Sequence, residues 1–201
     1  HNLSKNIFAL IDKKVFKAHK TKILEAFKDV KKFDYLLFNS TENNKNINSI
    51  LNIYKVILNK GYNRNSTFIA IGGGIVGDLF GFVAATFIRG VNYIQVPTTL
   101  LSCVDSSVGG KTGFNLDEYK NIIGSIYQPK FVLMDTMFLE SLNKTEIING
   151  LGEIVKTCFL ISKSQSDEFK ANFDKLIALE NKTITNIITE CVKFKAGVVS
   201  S

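Results

Sequence analysis

Short apolar runs alternate with stretches of helical periodicity over the first two thirds of the chain. Asn6 to Ile11, Tyr35 to Phe38, Phe68 to Ile71, Tyr93 to Val96 and Phe131 to Met134 are compact apolar runs ending in polar or turn-forming residues, the pattern of buried parallel strands. Between them, Ile47, Ile50, Leu51, Tyr54, Ile57 and Leu58 recur at helical spacing and predict one apolar face closed by Gly61. Ile75 to Ile88 follows a glycine cluster and reads as a largely buried helix. Alternation of this kind predicts an α/β fold, Rossmann-like, with a mostly parallel sheet. From Lys144 the pattern changes. Thr145 to Ile161, Ser166 to Leu179 and Thr183 to Val198 read as helices with no strand between them, and Ile184, Ile187, Ile188, Cys191 and Val192 form an apolar stripe on the last. The expected division is an α/β domain over 1–143 and the start of an all-α domain over 144–201.

Composition narrows the class. At 45% hydrophobic and 21% charged residues, a disordered or collagen-like chain is excluded. No apolar stretch reaches the ~18 residues that span a bilayer, and His1 to Lys20 lacks a cleavable-leader pattern, so no membrane association is expected and a cytoplasmic location is. Cys103, Cys158 and Cys191 are odd in number and widely spaced, which suits reduced thiols rather than a disulfide frame or zinc knuckle. Lys and Arg number 25 against 18 Asp and Glu, a net charge of +7. A solvated basic surface accounts for most of it; an anionic partner is the sharper reading. No aromatic-and-basic RNA motif or zinc finger supports nucleic-acid binding.

Two motifs carry chemistry. Gly72, Gly74 and Gly77 satisfy G-x-G-x-x-G between a predicted strand and a helix, where glycines let the backbone approach a pyrophosphate at a helix N-terminus. A tight turn would use glycines too. The acidic residue that a standard dinucleotide fold places after the next strand is missing, and the turn follows the third strand rather than the first. Asp12 and Glu42, after the first two strands, are the carboxylates available for a ribose. The second motif, Asp105 to Gly113, resembles a phosphate loop at Gly109-Gly110-Lys111-Thr112, but the first glycine of that pattern falls on Asp105, so an ATPase reading fails. A cationic, backbone-rich loop remains, suited to an anion. Beyond it, Lys120-Asn121 precedes an apolar segment. Glu153 and Lys156 stand at i,i+3 on a helix, an ordinary ion-pair spacing, beside Gly150 and Gly152, whose position at a helix start suggests close approach of another group.

In order along residues 68–156, Gly72-Gly73-Gly74-x-x-Gly77-Asp78, Phe82-Val83-Ala84-Ala85-Thr86-Phe87-x-Arg89-Gly90, Gln95-Val96-Pro97-Thr98-Thr99, Val104-Asp105-Ser106-Ser107-Val108-Gly109-Gly110-Lys111-Thr112, Lys120-Asn121-x-Ile123-Gly124, Gln128-Pro129 and Gly152-Glu153-x-x-Lys156 closely resemble 3-dehydroquinate synthase, the NAD- and metal-dependent cyclase of the shikimate pathway. The resemblance implies that Asp12, Glu42 and Lys45 contact the adenosine side of NAD. Gly72, Gly73, Gly74 and Asp78 would hold the diphosphate and nearby ribose with Thr98 and Thr99, and Lys120 with Phe138, Leu139, Glu140 and Ser141 would complete the cofactor wall. It implies substrate contacts from Asp105, Lys111, Asn121 and Lys156, and an Arg89 that reaches a phosphate across a homodimer interface. Glu153 would be one ligand of a divalent metal, zinc or cobalt. The substrate implied is a seven-carbon keto-acid phosphate (DAHP), converted to 3-dehydroquinate with loss of phosphate. The family's two histidine metal ligands match neither His1 nor His19, so the sequence is expected to be an incomplete, inactive portion of the enzyme. Lys14 replaces a usual asparagine of the first cofactor loop, Tyr119 the glycine before Lys-Asn, and Gly152 an alanine. Another sugar-phosphate cyclase or a metal-dependent polyol-phosphate dehydrogenase of the same architecture is the alternative reading; a non-catalytic binding module is a further one.

Overall fold

The computed structural model describes residues 4–200. A five-stranded parallel sheet has the spatial order β2-β1-β3-β4-β7, built from β1 (Asn6–Asp12), β2 (Lys32–Phe38), β3 (Thr67–Gly72), β4 (Asn92–Pro97) and the short β7 (Phe131–Val132). Side chains alternate across it. Phe8, Leu10, Phe68 and Ala70 face one core with α2 (Ile47–Asn59) and α3 (Gly74–Thr86), while Ala9, Ile11, Ile69 and Ile71 face another with α1 (Lys13–Ala26). Covered on both faces, β3 is buried along its whole length, which is why it reads as an uninterrupted apolar run.

Chain direction at the sheet's middle creates a crevice. After β1 the chain passes through α1 to β2 on one side; after β3 it passes through α3 to β4 on the other. The C-terminal ends of β1 and β3 therefore diverge at a topological switch point, where ligands of open α/β sheets bind. Asp12 ends β1 and Gly72 ends β3.

Several elements depart from the sequence reading. The segment Asp105–Gly113, read as one loop, begins on a π-helical turn that ends at Ser106 and is loop only from Ser107 to Gly110; Lys111 opens an antiparallel hairpin of β5 (Lys111–Leu116) and β6 (Tyr119–Ile126). Gly109 and Gly110 precede it at φ +106 and +67, values that favour glycine. Helix α1 carries only two fully buried side chains, Phe16 and Ile23, a weak periodic signal. In α2 the covered stripe is Ile50, Ile53 and Ile57, with Leu51 and Leu58 exposed, and Gly61 ends it at φ +70. Helix α3 stops at Thr86 because Ile88, Arg89 and Gly90 turn to positive φ. The helix read over 166–179 is two, α5 (Lys163–Ala171) and α6 (Phe173–Ile177), broken at Asn172.

Helices α4 (Lys144–Ile161) and α7 (Asn181–Ser200) complete the chain. Asn143 and Glu146 form a reciprocal capping box at the start of α4. Gly150 and Gly152 thus lie inside the helix, not at its start: a Cβ on Gly150 would strike Leu100 at 2.5 Å, whereas one on Gly152 would meet nothing. The helices share a core with Leu100, Cys103 and Val104, from the segment after β4. Cys103, Cys158 and Cys191 are buried free thiols, and burial pushes Cys103 and Cys191 up to about 12. Among the described residues, no helix is long and apolar enough to cross a membrane.

Candidate active site

Three concavities adjoin, with Gly74 and Ser106 between the first and second and Lys45 between the second and third. The first, about 280 Å³, opens at the switch point between Asp12, Lys14 and Ser40 on one side and Gly73, Gly74, Thr98, Thr99 and Ser141 on the other. Gly73 is the N-cap of α3 and no side chain caps that end, so the helix presents its first backbone N–H groups to the cleft. A Cβ on Gly73 would reach Thr99 Cγ2 at 3.0 Å and one on Gly74 would reach Ser106 Oγ at 3.0 Å, so glycine keeps the turn tight against its neighbours. Ser40 Oγ and Thr98 Oγ1 are buried without a hydrogen-bond partner. Unsatisfied hydroxyls beside an uncapped helix N-terminus fit a phosphate- and hydroxyl-bearing ligand such as a dinucleotide. Asp12 Oδ1 accepts from the N–H groups of Lys14 (2.6 Å) and Val15 (3.1 Å), so this carboxylate also caps α1. Ser141 Oγ lies 2.9 Å from His19 Nε2; Phe138 and Leu139 are buried behind the wall and Glu140 is exposed.

The second concavity, about 530 Å³, is lined by Asp78, Asp105, Ser106, Lys111, Asn121 and Lys195. Asp105 sits on a π-helical turn, Ser102–Ser106, a local widening that re-aims side chains. Lys195 of α7 donates to both its carboxylate and its carbonyl oxygen. Ser106 Oγ has no partner. Asp78, grouped by the sequence reading with the glycine turn, faces this cleft, where Lys45 Nζ donates to it at 2.6 Å. Burial holds the Asp78 carboxyl above the usual range, Lys45 opposes that, and the charges of Asp105 and Glu42 add to it.

A third groove, about 460 Å³, contains Glu42, Lys45 and Lys120. Lys45 joins it to the second, since its ammonium also donates to Asn121 Oδ1 at 2.5 Å. Glu153 and Lys156 pair with each other on α4, and hydrogen bonding to Glu153 raises the Lys156 ammonium. Arg89 stands apart on the exposed turn after α3. Among the described residues, no three His, Cys, Asp or Glu side chains gather where a metal could bind. Glu153 by itself does not make a metal centre.

Sequence reasoning missed Ser40, which follows the second strand, and Lys195. The latter lies 90 residues from Asp105 in a stretch (Lys193-Phe194-Lys195) whose two lysines look alike; only the turn of α7 separates Lys195, over the cleft, from Lys193, which pairs with Glu190 on the surface.

Fold and clefts define a Rossmann-like α/β protein that presents a glycine turn and a lysine-lined cleft at its switch point, with helices packed on afterwards. The profile of the 3-dehydroquinate synthase N-terminal family matches residues 35–149, and the chain belongs to that family. Over 159 residues it is 46% identical to a 3-dehydroquinate synthase of Alkaliphilus metalliredigens, covering 79% of this chain and 45% of the relative. Over 199 residues it is 42% identical to that of Prochlorococcus marinus strain AS9601, covering 98% and 55%. The chain thus spans about half the length of the curated relatives it matches. A 2-deoxy-scyllo-inosose synthase crystallised with carbaglucose-6-phosphate, NAD+ and Co2+ superposes with a TM-score of 0.90 at 26% identity, over 99% of this chain and 54% of that one. A probable glycerol dehydrogenase from Sinorhizobium meliloti shares the fold alone, with a TM-score of 0.72 at 17% identity over 96% of this chain and 59% of that one.

Proposed function

We propose that residues 1–143 are the NAD-binding domain, and 144–201 the opening of the helical substrate and metal domain, of a cytoplasmic 3-dehydroquinate synthase. The reaction is conversion of a seven-carbon keto-acid phosphate to 3-dehydroquinate with phosphate elimination, a step toward aromatic amino acids. The observation that carries this reading is the adjacency of the glycine-turn cleft to a cleft holding Lys111, Lys195, Asn121 and Asp105. Identity of 46% to 3-dehydroquinate synthase, against 26% to the inosose synthase, favours this substrate over that of another cyclase.

In this reading Gly73, Gly74 and the N-terminus of α3 receive the diphosphate, Thr98 and Ser40 supply hydroxyls, and Asp12 and Glu42 take the ribose side. NAD held by these residues would supply hydride-transfer chemistry. Lys111 and Lys195 hold phosphate and carboxylate as point charges. Asp105 orients Lys195, and Asn121 offers its amide to the substrate. Lys156 and Glu153 extend the site along α4, with Glu153 contributing one ligand to a divalent metal, zinc or cobalt. Arg89, exposed on its turn, serves the neighbouring site of a homodimer.

The test is phosphate release by the polypeptide that the whole gene encodes. NAD-dependent release from the keto-acid phosphate is expected, falling at least about a hundredfold in Lys111→Ala with unchanged NAD affinity. Release from a hexose phosphate instead would assign the protein to another cyclase class.

A further inference from the structure

Residue Asn115 stands where the groove holding Glu42 meets the cleft holding Asn121. Register in the hairpin runs Phe114↔Ile123 on one side and Leu116↔Tyr119 on the other, so Lys120, Asn121 and Ile122 of β6 stand opposite the single residue Asn115 of β5. That is a bulge two residues deep, of the kind that re-aims side chains beside functional sites. It needs Asn121 at φ +52, a conformation asparagine tolerates better than most residues. The bulge sends consecutive residues to different places: Lys120 lines the groove with Glu42, and Asn121 lines the cleft with Lys111.

Asn115 holds this arrangement through three hydrogen bonds. Its backbone N–H donates to the Lys45 carbonyl at 2.8 Å, its Nδ2 donates to Glu42 Oε1 at 2.8 Å, and its Oδ1 accepts the Asn121 N–H at 2.8 Å. Its residue is 9% exposed. Lys45 closes the ring, reaching Asp78 and Asn121 Oδ1 with its ammonium. The Asn115 amide carries its N–H donors and its carbonyl acceptor in one plane, so it bridges the Glu42 carboxylate and a backbone N–H at once. We propose that Asn115 is a positioning residue. It locks the Lys120–Asn121 bulge to Glu42 and Lys45, so that groups assigned above to cofactor and to substrate are held in one geometry.

The placement is tested on the 201-residue chain by amide hydrogen exchange. In Asn115→Ala the Asn121 amide is expected to exchange at least about fivefold faster, with the β3 amides unchanged. Unaltered exchange at Asn121 overturns the proposal. Its consequence rests on the function proposed above and is read in the whole-gene polypeptide at saturating NAD. There Asn115→Ala should lower kcat/KM for the keto-acid phosphate about tenfold to a hundredfold, as loss of alignment does; a change under threefold overturns it. Asn115→Asp keeps the acceptor for Asn121 but sets a carboxylate against Glu42, and Glu42→Gln in the same chain restores a donor–acceptor pair. The Asn115→Asp effect should be at least about tenfold smaller in the Glu42→Gln background, and equal effects in both backgrounds count against the bridge. This cycle keeps the question decidable if Asn115→Ala does not fold. Should the unsubstituted protein fail to release phosphate, the functional reading falls while the exchange measurement still decides the role of Asn115.

Discussion

Gly74 meets two demands at once, a helix start that a ligand can approach and a neighbour, Ser106, whose hydroxyl would lie 3.0 Å from a Cβ. A valine there would put branched carbon both against Ser106 Oγ and into the cleft that the first N–H groups of α3 face. Gly74→Val is therefore expected to lower NAD affinity at least about tenfold, measured by titration calorimetry, while far-ultraviolet dichroism stays close to that of the parent. Asp34 makes a different kind of claim, about acid stability. Burial alone would raise its carboxyl, but hydrogen bonds from Lys60 (2.6 Å) and Tyr62 (2.9 Å) outweigh that and hold it below its ordinary value of 3.8. Between the lowered folded value and 3.8 the unfolded chain binds more protons, so this stabilisation is present above 3.8 and is lost as pH falls through the folded value. Because the pair is partly exposed, the amount is at most ~1 kcal/mol. Urea unfolding at pH 7 and pH 3 should show Asp34→Asn losing less stability on acidification than the parent.

Two glycines separate packing from propensity at the level of elements. Gly113 and Gly124 face each other across β5 and β6, and a Cβ on Gly124 would overlap the Thr112 carbonyl oxygen. Gly124→Ala is expected to destabilise the chain by ~1–3 kcal/mol in urea titrations, since backbone must move. Gly152, in the interior of α4 with open space around it, is the opposite case. Gly152→Ala should stabilise by ~0.5–1 kcal/mol, by propensity alone. The same contrast explains what could be read from sequence. The central strands β1, β3 and β4 were legible because burial on both faces leaves uninterrupted apolar runs, whereas the edge strands β2 and β7 are only half-buried and showed as shorter apolar runs; α7 was legible from Ile184, Ile187, Ile188 and Cys191. The β5–β6 hairpin was not. Its second strand, β6, is largely exposed, its strands are interrupted by Gly113, Gly124 and the bulge, and Lys111 to Thr112 imitates the end of a phosphate loop. Within the site, the glycine turn and Lys111 announced themselves through local motifs, whereas Lys195 and Asn115 act through partners distant in sequence, Asp105 and Glu42.

On the scale of the whole molecule, the proposed division at 143/144 is a boundary of secondary structure but not of packing. Asn143 caps α4, and helices alone follow it. The core of those helices, however, includes Leu100, Cys103, Val104 and Leu139, all from the earlier part of the chain. Leu100 packs closely enough on α4 that Gly150 has no space for a side chain. The π-helical turn that carries Asp105 is thus held from one side by α3 and from the other by α4 and α7, and Lys195 reaches it from the last of these. Residues 1–143 expressed alone should keep the parallel sheet, because its two cores lie wholly within that span. They should nonetheless expose the apolar side chains around Leu100 and bind the dye ANS more strongly than the 201-residue chain, with a melting temperature lower by at least about 5 °C, a loss on the order of 1–2 kcal/mol. Equal melting temperatures and equal dye binding would mean that the helices are carried by the α/β domain without supporting it. The turn bearing Asp105 would then keep its geometry without α7, and Lys195 would be an addition to the cleft rather than part of what shapes it.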